Sequence, residues 1–167
     1  MKALKVVTAL ALVGSVPLVH AATSTGQLSV DATVAASCSV ANTTLTFGSV
    51  DPLALASTNK DAQADISVTC SNTTSYNVGL NAGLTTGATV TTRQMDISGA
   101  GTDKLNYSLY SDSARSVNWG NTVGTNTVVG TGSGSAIAHT VYGRIPSGQN
   151  NVPVGTYNDT VTITVTY

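Results

Sequence analysis

The stretch "STGQLSVDATVAASC", Ser24 to Cys38, alternates apolar and polar residues, and where its apolar face goes decides the fold. Leu28, Val30, Ala32 and Val34 alternate with Gln27, Ser29, Asp31 and Thr33, the period of a strand with one dry and one wet face. The same parity runs on through Ala36, Cys38 and Val40. Strands in ordinary domains run about five or six residues, and this pattern holds for well over twice that. Either it is one unusually long edge strand, or its two halves belong to different sheets.

Upstream stands "MKALKVVTALALVGSVPLVHA", with Lys2 and Lys5 at the start, an apolar run from Val6 to Val19, and small Ala21 at the exit. That order is a cleavable export signal, and the greasy core is short for a membrane span. Cleavage is expected after Ala21. The mature chain then has 167 − 21 = 146 residues, which fits one domain. No other segment is continuously apolar enough to cross a bilayer as a helix.

The mature part carries Lys60, Arg93, Lys104, Arg115 and Arg144 against eight Asp and no Glu, a formal charge of 5 − 8 = −3. A sparse, mildly acidic surface gives no electrostatic reason to expect nucleic acid or an anionic membrane as partner. Thr, Ser, Val, Asn and Gly dominate and helix formers are scarce, so the chain reads as all-β. Cys38 and Cys70 are the only cysteines, and an exported chain with one pair most simply closes one disulfide. A metal site is disfavoured because two sulfurs without clustered His do not complete a zinc shell, and the spacing is far from C-x-x-C.

Beyond Cys38, short alternating runs recur between turn-rich spacers: Leu45 and Phe47, then "ADISVTC", "YNVGL" and "KLNYSLYSD", with a less regular run from Val90 to Ile97. The spacers "SNTTS", "GLTTG" and "SGAGTD" suit tight turns, and the whole spacing indicates an antiparallel sandwich or barrel. The Gly- and Ser-rich stretch from Val123 to Ala136 reads as a long surface loop. In the final "GTYNDTVTITVTY", Val161, Ile163, Val165 and Tyr167 face one way and Thr160, Thr162, Thr164 and Thr166 the other. That last strand has no later segment to fill its free neighbour position, and an open edge beside an apolar groove is a hazard that folded proteins cover. Strand donation between subunits answers both ends of the chain; pairing of the first segment within its own subunit is the alternative.

A catalytic role has little support. His139 is the sole mature histidine and sits in a strand pattern, no G-x-S-x-G elbow occurs, and the aspartates are scattered among turns at spacings unlike a calcium loop. Trp119 and the six tyrosines are spread as core and cross-strand residues would be, rather than gathered as a sugar platform. "NTT" at Asn42 and Asn72 matches a glycosylation acceptor but reads as turns. The chain is expected to be no enzyme and to need no cofactor and no metal.

The export signal, "TGQLSVDATVAASCSV", "ISVTC", "LNYSLYSDSAR" and "VPVGTYNDTVTITVTY", taken in order, resemble the spore coat U domain family, and through it the major pilins of archaic, Csu-type chaperone–usher pili. The resemblance implies an incomplete immunoglobulin-like antiparallel sandwich completed by a donor strand from a neighbouring subunit. It divides the chain into a signal peptide at 1–21, an N-terminal donor extension at 22–35 and a pilin domain at 36–167. Leu28, Val30, Ala32 and Val34 are then the groove-filling residues, and Ala32 marks a shallow site where an incoming strand begins displacing the resident one. Val161, Ile163, Val165 and Tyr167 line the acceptor groove and meet the chaperone, with the Tyr167 carboxylate as a candidate anchor.

The implied partners are identical subunits in a linear homopolymer, a periplasmic chaperone, an outer-membrane usher, and tip or minor subunits. The implied role is that of a structural subunit of an extracellular pilus, exported through the periplasm and supporting adhesion and biofilm formation. The alternative is a self-contained exported β-sandwich that binds a ligand, or a spore or outer-coat structural protein.

Overall fold

The computed structural model describes residues 19–99 and 101–167; most of the expected export signal, residues 1–18, lies outside the described residues. The chain separates into two units, 1–33 and 34–167. In the first, the described residues 19–33 form no helix or strand and are exposed. Among the described residues the second holds nine strands: β1 (Cys38–Val40), β2 (Lys60–Cys70), β3 (Ser75–Leu80), β4 (Arg93–Ile97), β5 (Lys104–Tyr110), β6 (Val128–Thr131), β7 (Ala136–Ile145), β8 (Tyr157–Asn158) and β9 (Ile163–Thr166). A single 3-10 turn, Ala54–Ala56, interrupts them among the described residues and buries Leu55.

All pairings are antiparallel, and they make two sheets, one ordered β1-β2-β7-β5-β4-β8 and the other β6-β3-β9. The alternation seen in the sequence sorts the side chains. On β5, Leu105, Tyr107 and Leu109 are buried while Lys104, Asn106, Ser108 and Tyr110 are not. From the large sheet Ile66, Val68, Val141 and Ile145 meet Tyr76, Val78 and Leu80 from the small one, giving one core between two layers. Trp119 closes it, with its Nε1 donating to the Val78 carbonyl at 2.8 Å, so the ring is buried without an unpaired N–H.

The long opening alternation is split. Only Cys38–Val40 becomes a strand, pairing with β2 in the register Cys38↔Cys70 and Val40↔Val68. The disulfide Cys38–Cys70 joins directly opposed residues whose Cα atoms are 4.1 Å apart. Ser71 N–H donates to the Ser37 carbonyl on one side and Ala41 N–H to Ser67 on the other, so the cysteines occupy a narrow, non-hydrogen-bonded pair, where side chains stand closest.

Two readings of the sequence need correction. Leu45 and Phe47 alternate but form no strand, because nothing pairs with them; both are half-buried against the core. The stretch from Val123 to Ala136 is not all loop, since Val128–Thr131 forms β6 and pairs with β3 despite its glycines. Gly130 is required there: a Cβ would collide with the Tyr76 ring opposite it.

The two sheets are also tied by polar contact. Tyr76 Oη on β3 lies 2.9 Å from His139 Nε2 on β7, with the rings edge to face. Burial lowers the His139 pKa and raises that of Tyr76, and no carboxylate is hydrogen-bonded to the imidazole to offset the cost of charging it.

Two outcomes are expected from this framework. Replacing both cysteines by serine should destabilise the domain by about 3–4 kcal/mol on the chain-entropy account of a loop this long, measured by urea unfolding with and without reductant. Because the folded-state pKa of His139 is depressed, its contribution is present above about pH 6.5, the ordinary histidine value, and is lost as pH falls toward the folded value. The urea midpoint of the native chain should therefore drop as pH falls below about 6.5, and His139→Gln should flatten that slope.

Candidate functional site: an open apolar groove

Strand β9 is hydrogen-bonded on one edge only. Its register with β3 runs Leu80↔Ile163, Gly79↔Thr164, Val78↔Val165 and Asn77↔Thr166. Thr162 N–H donates to Asn81 Oδ1 at 2.8 Å and its carbonyl accepts from Asn81 N–H at 3.1 Å, so the even-numbered threonines turn their backbone groups toward β3. By the alternation of an antiparallel ladder, Ile163 and Val165 turn theirs to the other side. Among the described residues no strand occupies that side.

Beside this edge lies a cleft of about 410 Å³. Val161 and Ile163 form one wall, and Thr43, Thr44, Leu45 and Phe47 form the other. Ile66, Leu80, Tyr107, Leu109 and Val141 make its floor, so an occupant would touch both sheets. The cleft continues into a second opening of about 600 Å³ toward Val50, Ile145 and Val152. Thr44, Leu45, Phe47, Met95, Tyr157 and Asn158 line both parts. The unpaired run at Leu45 and Phe47 thus borders the groove on both parts.

Polar contacts hold the groove open at one end. Tyr107 Oη donates to Asp159 Oδ2 at 2.6 Å, and Asp159 Oδ1 accepts from Leu84 N–H at 2.9 Å and Thr160 N–H at 2.8 Å. Burial first, and then the bond to Asp159, pushes the Tyr107 hydroxyl well above the usual phenol range, so it stays a donor. Gly83, at φ +91°, lets the chain pass against Asp159, where any Cβ would strike the carboxylate.

Behind this end sits Arg93, which the sequence counted among the surface cations and the fold buries completely. Its Nε donates to the Asn81 carbonyl, Nη1 to Val90, and Nη2 to Leu80 and Trp119, all between 2.7 and 2.9 Å. Burial lowers its pKa to about 10, which leaves it charged at neutral pH. Four carbonyls from three segments converge on one rigid fork, a geometry suited to arginine's planar fan of donors.

The residues named from sequence are placed as follows. Leu28, Val30 and Val34 are 88%, 83% and 94% exposed, and Ala32 is exposed too. Val161 and Ile163 line the groove. Val165 packs half-buried against the core, and Tyr167 is 59% exposed. Leu45, Phe47, Met95 and Tyr157 were not anticipated as groove residues; the only available signal was the short alternation at Leu45 and Phe47. His139 is engaged with Tyr76, and among the described residues no three His, Cys, Asp or Glu side chains cluster as a metal site.

An all-β antiparallel sandwich whose terminal strand has a vacant edge over an apolar groove defines a class of incomplete immunoglobulin-like subunits. Residues 24–164 match the Spore Coat Protein U domain, and the chain belongs to that family. It is 39% identical over 176 residues to Protein U of Myxococcus xanthus, an alignment covering 99% of this chain and 97% of that protein.

Among solved structures it is similar to the CsuC–CsuE chaperone–tip adhesion subunit pre-assembly complex from archaic chaperone–usher Csu pili of Acinetobacter baumannii. That match has a TM-score of 0.52 and 23% identity, over 81% of this chain and 40% of the other. It is also similar to a subunit in the structure of a chaperone–usher pilus, with a TM-score of 0.54 and 14% identity over 86% and 96% of the two chains. The fold is that of these chaperone–usher pilus subunits.

Arg93→Met should be the most damaging single change outside the disulfide. It would leave four carbonyls without their donors, and the expected loss is about 3–5 kcal/mol. Urea unfolding, or recovery of soluble protein where the variant does not fold, would measure it; a loss under about 1 kcal/mol would remove Arg93 from this role.

Proposed function

We propose that the chain is a structural subunit of an extracellular chaperone–usher pilus and polymerises by donor-strand exchange. The carrying observation is the vacant edge of β9 over an apolar groove, in a chain whose N-terminal stretch exposes alternating apolar residues. In this reading residues 1–21 are an export signal, 22–35 the donor extension, and 36–167 the acceptor domain. Leu28, Val30, Ala32 and Val34 of one subunit enter the groove of the next.

Elementary energetics favours that occupant. Burying Leu28, Val30 and Val34 contributes about 1.5–3 kcal/mol each. The backbone of an incoming strand pairs with the free groups of Ile163 and Val165, which is β-augmentation. Run antiparallel to β9, its groove-facing residues fall opposite Val161, Ile163 and Val165 and share their face. Since the donor and acceptor surfaces differ, the contact is head to tail and yields an open filament.

Before assembly the same groove requires a substitute strand, and a periplasmic chaperone is the proposed lender. Val161, Ile163, Val165 and Tyr167 form its contact, and an outer-membrane usher is the proposed site of exchange. Tip or minor subunits complete the fibre, with adhesion and biofilm formation as its uses. The full-length likeness to Protein U and the family's description favour a second reading, in which the same linkage builds a spore or outer coat. Electron microscopy of the assembled material separates a fibre from a layer.

Val30→Asp would place a charge in the apolar groove at a cost of several kcal/mol unless the strand is rejected. That variant should fold with its chaperone yet fail to polymerise, while Ser29→Asp, on the opposite face, should assemble nearly normally. Polymer formation, scored by ladders on gels run without boiling, reads the outcome. A chaperone-bound Val30→Asp subunit that fails to fold would instead place the segment inside its own domain, as a self-contained sandwich requires.

A further inference from the structure

Met95 is the one methionine downstream of the export signal. It lies on β4 opposite Leu105, half-buried, packs against the core, and lines both parts of the groove. Met95 therefore borders both openings, together with Thr44, Leu45, Phe47, Tyr157 and Asn158. Methionine suits such a place because its unbranched, polarizable side chain adapts to an irregular occupant. The same sulfur is the groove's one oxidisable atom of this type, since both cysteines are committed to the disulfide.

We propose that Met95 is a modification site through which oxidation controls strand uptake: its sulfoxide closes the groove to a donor, and a seated donor shields it. The inference rests on the donor-strand reading of the groove. The oxidant is a peroxide. The thioether sulfur attacks one peroxide oxygen, the O–O bond breaks, a sulfur–oxygen bond forms, and with hydrogen peroxide the other oxygen leaves as water. Sulfur is oxidised by two electrons and the peroxide is reduced by two.

The product is a strong acceptor projecting into an apolar cleft. Left open, the groove keeps that oxygen solvated; a strand carrying Leu28, Val30, Ala32 and Val34 offers the groove only apolar side chains, so its arrival would displace water from the sulfoxide and bring no side-chain donor of its own. Polarity at this one point opposes an occupant that must be apolar along its length. Subunits still awaiting a strand would thus be vulnerable, and those already joined would be protected.

The test uses the purified mature chain, hydrogen peroxide and a synthetic peptide of residues 23–35. With the groove empty, peptide mapping should find a single added oxygen on Met95, forming at a rate near that of free methionine. Saturating peptide should slow it about tenfold or more, whereas the same peptide carrying Val30→Asp should give no protection. The sulfoxide form should bind the native peptide about tenfold or more weakly than the reduced form. In Met95→Leu, peptide affinity should be the same before and after peroxide, whatever its absolute value.

Oxidation of Met95 only after denaturation overturns the proposal, as does a sulfoxide form that binds peptide as tightly as the reduced one. A reduced chain that does not bind the peptide at all overturns the donor-strand reading and this inference with it. That failure is distinguishable, because the rate of Met95 oxidation in the empty groove is measured without peptide.

Discussion

The structure depends on a strand that has one neighbour where two would fit. β9 satisfies half of its backbone groups through β3 and turns the rest, at Ile163 and Val165, toward a space walled by Leu45 and Phe47. Open edges can be tolerated when they are short, charged or twisted away. This one is flanked by apolar side chains and carries no charge on its own residues, which are Ile, Thr, Val and Thr.

An incomplete core has to be held in shape by contacts around its rim. The disulfide fastens β1 to β2 at one end. At the other, Arg93 gathers carbonyls from Leu80, Asn81, Val90 and Trp119, and Tyr107 and Asp159 bind the chain leaving β8 to the turn at Gly83 and Leu84. These contacts are polar and directional. They hold the groove residues Leu80 and Tyr107 in position, so on the proposed donor-strand reading a strand would meet a formed site and lose less free energy to ordering it.

Much of the fold was legible because strand burial writes a period of two into the chain. β2, β5 and β7 follow their alternation closely, and the two cysteines belonged together once export was read. Arg93 was illegible because a cation's burial depends on carbonyls supplied from other segments, with no local mark. Leu45 and Phe47 alternate as a strand would but lack a partner, and a partner's absence is a property of the assembled sheet order. β6 hid among glycines that look like a linker and are needed instead for clearance from Tyr76.

The amino-acid order by itself determined the all-β class, the parity of each face, the disulfide pair and the surplus of alternating residues ahead of Cys38. Those follow from local rules, in which each residue's solvent preference is read against a fixed backbone period. Only the tertiary structure decided that the alternation divides, with Cys38–Val40 pairing at home and Leu28, Val30 and Val34 left exposed. It alone decided which edge is vacant and which side chains, Met95 among them, surround the vacancy. Periodicity states how a strand must face; which strand lies beside it depends on closing two sheets around one core, and no single segment holds that information.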